Sequence, residues 1–538
     1  MLTEKLINLY DTTIIVKHTV YISTMDFTRL AALFHAYPMP IGYIPKYGTS
    51  GFRDHAKLLD AVVIRASAMM VLRSKEIKNH CGIMVTASHN PENDNGLKLI
   101  DYTGDMINEE FEHYATQLAS CQSFEYVQST LNNIISERNI DVGKYTGYIL
   151  IGQDTRASGD HLITLCKKTI LAMGGKYISL GQVTTPELHY SVASSNFNMK
   201  SVYKKLPYIN NLMYAFRKLY HSNSYYEINV DCANGVGALR MFELAQHLYT
   251  YNIKVNLYNT NNGKLNDLCG ADYVEKTLDF PANMHNVHEN AICCSLDGDA
   301  DRIVFFSKNR NKFTLLNGDK IACLIIKYLY NPFDNIESET SMCVVHTPYA
   351  NGAFTTYIKD MFPSVHIQCA ETGVKYLHRT AKQYDIGVYF ESNGHGSVHF
   401  SQQALQNKAI STISNLLSQY TGDALGDLLF VLVALQQTSF LEWMYMYQDY
   451  PCKQVKLYGD KSLFATTDFG RKLLQPEGLQ DKLEKVIANY SHSNCFVRPS
   501  GTEDLLRLYV ECKNVNHVEM LLTDTVTVLS SYTQIEVK

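Results

Sequence analysis

Three aspartates stand at alternate positions in Asp297-Gly298-Asp299-Ala300-Asp301-Arg302. The apolar runs Ile292-Cys293-Cys294-Ser295-Leu296 before them and Ile303-Val304-Phe305-Phe306 after them read as strands, so the six residues form a loop. Such a loop can aim three carboxylate oxygens at one point. Without a cation the carboxylates would repel one another, and hard oxygen ligands favour Mg²⁺ or Ca²⁺ over zinc. A solvated acidic turn and half an EF-hand are the ordinary alternatives. The full EF-hand loop is absent, since the positions from Phe305 onward are apolar strand and no glutamate follows where that motif needs one.

A second stretch offers a nucleophile. Ile83-Met84-Val85 reads as a buried strand that stops at Thr86-Ala87-Ser88-His89-Asn90-Pro91, and Asn90-Pro91 and Asn95-Gly96 mark a tight loop. That arrangement lifts the Ser88 hydroxyl off the end of a strand, with His89 beside it and Lys98 shortly after. A third loop, Glu391-Ser392-Asn393-Gly394-His395-Gly396, sits between strands 385–390 and 397–400, and Glu391 and Asn393 carry chemistry suited to sugar hydroxyls and amides. In the fourth, Arg498-Pro499-Ser500-Gly501-Thr502-Glu503-Asp504, an arginine, two hydroxyls and a glycine backbone make a phosphate nest, and Arg507 can face the same anion. Arg53 ends a Gly-punctuated turn, Lys46-Tyr47-Gly48-Thr49-Ser50-Gly51-Phe52-Arg53, and can add a bidentate anion contact. Each loop alone has a plain reading as a polar tip between strands.

The elements that must position these loops alternate strand and helix, a pattern that predicts largely parallel α/β sheets. Helical periodicity covers 26–35, 57–72, 106–135, 162–173, 238–249 and 321–328; residues 198–224, basic and tyrosine-rich, read as a helical connection between domains. Residues 408–436 read as two helices, and the block after 441 has an α+β pattern ending in a helix over 517–529. A chain of 538 residues exceeds one core. The expected division is an N-terminal extension over 1–24, domain 1 over 25–205, domain 2 over 206–313, domain 3 over 314–440 and domain 4 over 441–538.

Composition narrows the function class. With 46% hydrophobic and 19% charged residues the chain reads as globular, and a net charge of -5 argues against a general nucleic-acid binder. No apolar run reaches the ~18 residues of a membrane span. Thirteen scattered cysteines with no C-x-x-C spacing indicate neither a disulfide framework nor a zinc site, and a reducing cytoplasm is the expected home. No obligate protein partner is evident.

Nucleophile, metal cage, hydroxyl reader and anion clamp together point to phosphoryl transfer on a phosphorylated sugar. The four loops, in this order, resemble the four signature loops of the α-D-phosphohexomutase superfamily. Further stretches, Val183-Thr184-Thr185-Pro186, Gly270-Ala271-Asp272-Tyr273-Val274, Thr372-Gly373-Val374-Lys375 and the Asn393-Gly394-His395-Gly396 form of the third loop, resemble its branch acting on N-acetylglucosamine phosphates. The resemblance runs from about Met25 to the C-terminus and implies three related mixed-sheet α/β domains plus a smaller C-terminal α+β domain. It implies exchange of N-acetylglucosamine 6-phosphate and 1-phosphate on the way to UDP-N-acetylglucosamine, with a sugar 1,6-bisphosphate as intermediate and activator. It places the transferring phosphate covalently on Ser88 and one Mg²⁺ on Asp297, Asp299, Asp301 and a phosphoserine oxygen. It sets Arg53 and Lys98 beside the transferring group, and the chemistry of the transfer leaves Lys98 or His89 to assist proton transfer. The sugar phosphate falls to Glu391, Asn393, His395, Thr372, Gly373 and Lys375, and to Arg498, Ser500, Gly501, Thr502 and Arg507. Gly470 and Ser392 depart from the family pattern without removing a named ligand. A phosphoglucomutase or phosphomannomutase would share the loops but differ in the third. A non-catalytic relative should have lost Ser88 or an aspartate, and a metal-dependent phosphatase would not require the serine loop and anion clamp.

Overall fold

Sheet pairing explains where the four loops fall. The computed structural model describes residues 25–196, 207–310, 312–333, 340–500 and 505–537; the expected extension 1–24, and Gly501 and Thr502 of the anion clamp, lie outside these. The first sheet has six strands in the order Tyr47–Gly48, Gly51–His55, Asp94–Ile100, His80–Val85, Gly147–Gln153, Gly175–Gln182. The first four pair antiparallel and the last two add in parallel. The second sheet runs Lys312–Leu316, Ile303–Asn309, Ile292–Leu296, Tyr226–Asp231, Ile253–Tyr258, and the third His366–Cys369, Met342–His346, Ile386–Phe390, Gly396–Phe400. Both are again mixed. The strand Lys312–Leu316, which spans the 313/314 boundary expected above, is the outer strand of the second sheet.

In each of these sheets one inner strand has a parallel neighbour on one side and a hairpin partner on the other, and the hairpin connection is a signature loop. Val85 pairs with Leu97 across the Ser88 loop, Leu296 with Ile303 across the aspartate loop, and Phe390 with Gly396 across the Glu391 loop. All three loops leave the carboxyl ends of parallel-paired strands, where α/β sheets place ligands. The fourth sheet is antiparallel, and its hairpin of Ser493–Pro499 and Leu506–Cys512 carries the anion clamp.

The strands hold because they are apolar and covered. His80–Val85 and Ile292–Leu296 are buried almost throughout, and the helix Asp60–Ile77 is buried from Ala61 to Lys75. Its three buried cations are all partnered: Arg65 donates to the Ala61 and Cys121 carbonyls, Lys75 donates to that of Val142, and Arg73 ion-pairs with Asp101 and Glu76. The helix Tyr208–Leu219, read from sequence as a connection, is part of a core shared by the second and third sheets. Tyr208, Ile209, Leu212, Met213 and Phe216 are buried in it, and the Tyr208 hydroxyl donates to Asp423 at 2.6 Å. Basic residues at its end mask an apolar face that periodicity alone reveals. No helix among the described residues is long and apolar enough to cross a membrane.

Candidate active site

The Ser88 loop is held in an unfavourable shape by its surroundings. Ser88 has φ +54, in the left-handed region that costs an L-residue about 1–2 kcal/mol. A relay fixes it: Ser88 N–H donates to Thr86 Oγ1 at 2.9 Å, and the Thr86 hydroxyl donates to Asp154 at 2.7 Å. Asp154 is ion-paired to the Arg156 guanidinium. Arg156 also donates to the carbonyls of Asn90 at 2.6 Å and Asp94 at 2.7 Å, and Asn266 from the second domain donates to those of Ser88 and Asn90 at 2.9 and 3.0 Å. Sequence reading passed over Arg156 and Asn266; the strand-to-polar-tip pattern at 152–156 was the available signal for the first.

The aspartate loop meets Ser88 across the first and second domains. Ser88 Oγ donates to Asp297 Oδ2 at 2.6 Å and lies 3.4 Å from Asp301 Oδ1. Oxygens of Asp297, Asp299 and Asp301 lie within 4.8 Å of one another, all buried. Lys98 donates to Asp299 at 2.6 Å and to Asp301. Burial works against its charge, but the two carboxylates prevail and hold the ammonium above its ordinary range. Burial and the neighbouring Asp301 and Asp299 push the Asp297 carboxyl far above the usual carboxylate range. Asp301 is held well below that range, because its burial is outweighed by His395 and Lys98.

Whether these residues suit Mg²⁺ can be tested on the donors themselves. Three buried carboxylates face Lys98 and the more distant Arg302, whose Nε stands 3.7 Å from Asp297 and 3.8 Å from Asp301. Asp299 Oδ1 is buried with no hydrogen-bond partner. An all-oxygen set with one spare carboxylate oxygen fits a hard divalent cation.

Arg53 and His89 lie beside this cage. Arg53 donates to Ser50 Oγ at 2.7 Å; burial and Arg302 lower its pKa, with the three aspartates opposing. Arg302, burial and Arg53 depress His89 far below the ordinary imidazole range, so it is neutral, and its Nδ1 is buried without a partner. Arg302 stood in the quoted motif with no role assigned; its distance to two carboxylates is visible only in three dimensions.

The sugar-reading residues divide. Gly373 N–H donates to Glu391 at 3.0 Å, and Asn393 accepts from the His395 N–H at 3.0 Å. His395, expected among the sugar-binding residues, is 5% exposed, and its Nδ1 donates to the Asp301 carbonyl at 2.7 Å, which braces the aspartate loop. Lys375, also expected at the sugar, ion-pairs with Glu112 at 2.7 Å across the first and third domains. Beside it Arg379 pairs with Glu109, and Lys382 with Asp105 at 3.0 Å, so this helix face is a zipper to the first domain.

Arg498 reaches towards Thr372, with Nη1 3.5 Å from its hydroxyl, over a cavity of about 800 Å³ lined by Thr49, Glu371, Thr372, Tyr376, Phe469 and Arg498 among others. Arg498 and Arg507 are cross-strand partners, which puts both guanidinium groups on one face of the hairpin. Ser500 is buried, and its carbonyl accepts from Lys461 at 3.3 Å. Gly470, with φ +89, lies under Arg498, whose Cδ is 3.2 Å from where a Cβ would stand.

Ser88 against the carboxylate cage, Glu391 bonded to Gly373, and Arg498 reaching Thr372 from a fourth hairpin, on loops in this order along the chain, define an α-D-phosphohexomutase. Residues 317–440 match the family model "Phosphoacetylglucosamine mutase AMG1, domain III". Residues 55–126 and 125–202 match "Phosphoglucomutase/phosphomannomutase, alpha/beta/alpha domain I", and 466–527 the C-terminal domain model of that name. The chain is 38% identical to phosphoacetylglucosamine mutase of Homo sapiens over 526 residues, 92% of this chain and 96% of that one. Its fold matches the N-acetylphosphoglucosamine mutase structure of Aspergillus fumigatus with a TM-score of 0.89 and 34% identity, covering 94% of this chain and 98% of that one. A second structure of the Aspergillus fumigatus enzyme, in complex with GlcNAc-6P and magnesium, matches with a TM-score of 0.87 and 33% identity over 94% of this chain and 98% of that one. The chain belongs to the phosphoacetylglucosamine mutase family. It is an isomerase of the phosphohexomutase type.

Proposed function

We propose that the chain interconverts N-acetylglucosamine 6-phosphate and N-acetylglucosamine 1-phosphate, a step towards UDP-N-acetylglucosamine. The observation that carries this reading is the Ser88 hydroxyl, 2.6 Å from Asp297 at the rim of a buried three-carboxylate cage. Relatives of that name, matched over almost their whole length, supply the N-acetylated substrate.

In this reading Ser88 carries the phosphoryl group. As the bond from phosphorus to Ser88 Oγ breaks, a bond forms to the free hydroxyl of the bound monophosphate, which loses its proton. The 1,6-bisphosphate so made turns over, and Ser88 Oγ takes back the other phosphoryl group, leaving the isomer. Asp297, Asp299 and Asp301 would hold Mg²⁺, which when bound supplies positive charge against the phosphoryl oxygens. Lys98 and Arg53 add fixed positive charge in a water-poor site, where it is most effective. Neutral His89 and protonated Lys98 are the groups beside Ser88 that can take or give a proton. Glu391, Asn393, Thr372 and Gly373 read the sugar, while Arg498, Ser500, Gly501, Thr502 and Arg507 hold the phosphate that is not transferring. Lys375 and His395 act through the loops they brace. We place the enzyme in the cytoplasm, which suits thirteen thiols without a disulfide.

The test is turnover of N-acetylglucosamine, glucose and mannose phosphates with Mg²⁺, beside Ser88→Ala. Preference for the N-acetylated sugar and a silent mutant are expected. Preference for glucose or mannose phosphate would replace this reading with a phosphoglucomutase or phosphomannomutase.

A further inference from the structure

Thr185 opens the helix Thr185–Asn196 of the first domain, and nothing in the transfer described above uses it. It is fully buried, as is Asp299. Its N–H donates to the Asp299 carbonyl at 3.0 Å, and its hydroxyl donates to Asp299 Oδ2 at 2.5 Å. Lys98 donates to the same oxygen at 2.6 Å, so Oδ2 holds two donors while Oδ1 has none.

A carboxylate turns about a broad, two-fold torsion, and its two oxygens are chemically alike. Lys98 alone cannot distinguish them: its ammonium lies between Asp299 and Asp301 and is satisfied by either oxygen of Asp299. The Thr185 hydroxyl, fixed by its own backbone bond to Asp299, breaks that symmetry. We propose that Thr185 is a positioning residue for the metal cage, holding Oδ2 so that Oδ1 is the oxygen presented to Mg²⁺. Because Thr185 and Lys98 come from the first domain and Asp299 from the second, the contact that orients Asp299 forms only when those domains are docked. The proposal rests on the reading of the three aspartates as a Mg²⁺ site.

Thr185→Val keeps the side-chain shape and removes the hydroxyl, and Thr185→Ser keeps the hydroxyl and removes the methyl. Full-length proteins are stripped with EDTA, matched for phosphorylation by intact mass, titrated with Mg²⁺ by calorimetry and melted without metal. Groups that orient a metal ligand are worth about 10–100-fold in affinity. Thr185→Val should lose that much Mg²⁺ affinity while the metal-free melting temperature and metal-free binding of sugar phosphate stay at wild type. Thr185→Ser should restore the affinity. If Thr185→Val melts lower, Thr185→Ala is the second hydroxyl-free variant, and it too must bind Mg²⁺ more weakly than Thr185→Ser. Wild-type affinity in the hydroxyl-free variants overturns the proposal, as does an equal loss in Thr185→Ser. A wild-type protein that binds no Mg²⁺ overturns the cage itself, a separate and recognisable result.

Discussion

Arg156→Met tests the idea that the reactive serine is held by a buried relay and not by the metal site alone. The substitution keeps the length of the side chain and removes a guanidinium that is 2% exposed. It strands Asp154, fully buried and left with only Thr86 Oγ1 and one backbone N–H as donors. It also takes a donor from the Asp94 carbonyl, while Asn266 still serves those of Ser88 and Asn90. Removing one partner of a buried ion pair costs about 3–5 kcal/mol. The left-handed Ser88 backbone then loses part of what over-determines it, and a displacement of about 1 Å in a reacting group can cost on the order of 10²-fold in rate. The expected outcome is a lower first transition in scanning calorimetry together with a fall in kcat. Burial already raises the Asp154 carboxyl despite Arg156, so the folded state holds that proton more tightly than the unfolded chain. Stability linked to it therefore falls as pH rises, and the mutant deficit should narrow as pH is lowered. Adding Asp154→Asn removes the stranded charge, and the cycle should show a coupling of about 2 kcal/mol. A cost below about 1 kcal/mol for Arg156→Met, or additive single changes, would refute the relay.

Ser88→Ala should abolish turnover while leaving sugar-phosphate binding, and intact-mass analysis should find the active enzyme one phosphate heavier than the mutant; near wild-type turnover would end the phosphoserine mechanism. Gly394→Ala should destabilise by about 2 kcal/mol or more, because at φ +82 its new Cβ would stand 1.9 Å from the Ile303 carbonyl, and thermal melting reads this directly. Arg498→Ala should raise the substrate KM and release more 1,6-bisphosphate into solution, measured by chromatography of the reaction mixture; an unchanged KM would remove Arg498 from the phosphate grip. Deleting residues 1–24 should leave activity nearly unchanged, since every assigned loop lies beyond Met25, and loss of folded protein would show the segment to be integral.

The sequence by itself determined the local chemistry: where strands end in polar loops, and which loops carry a serine, three alternating aspartates, a glutamate with an asparagine, and an arginine with two hydroxyls and a glycine. Those follow from period and residue type, which act over a few neighbours. It also carried the order of the loops, and hence the family. Only the tertiary structure decided which polar groups face each other. Ser88 meets Asp297 across 209 positions and Lys98 meets Asp299 across 201, distances over which no periodicity reports. For the same reason the contacts of His395 with Asp301, of Lys375 with Glu112, and of Arg156, Asn266 and Thr185 with the serine and aspartate loops are visible only in the folded chain. A buried polar group must find its partner wherever the sheets bring one, and that choice is made by packing between domains.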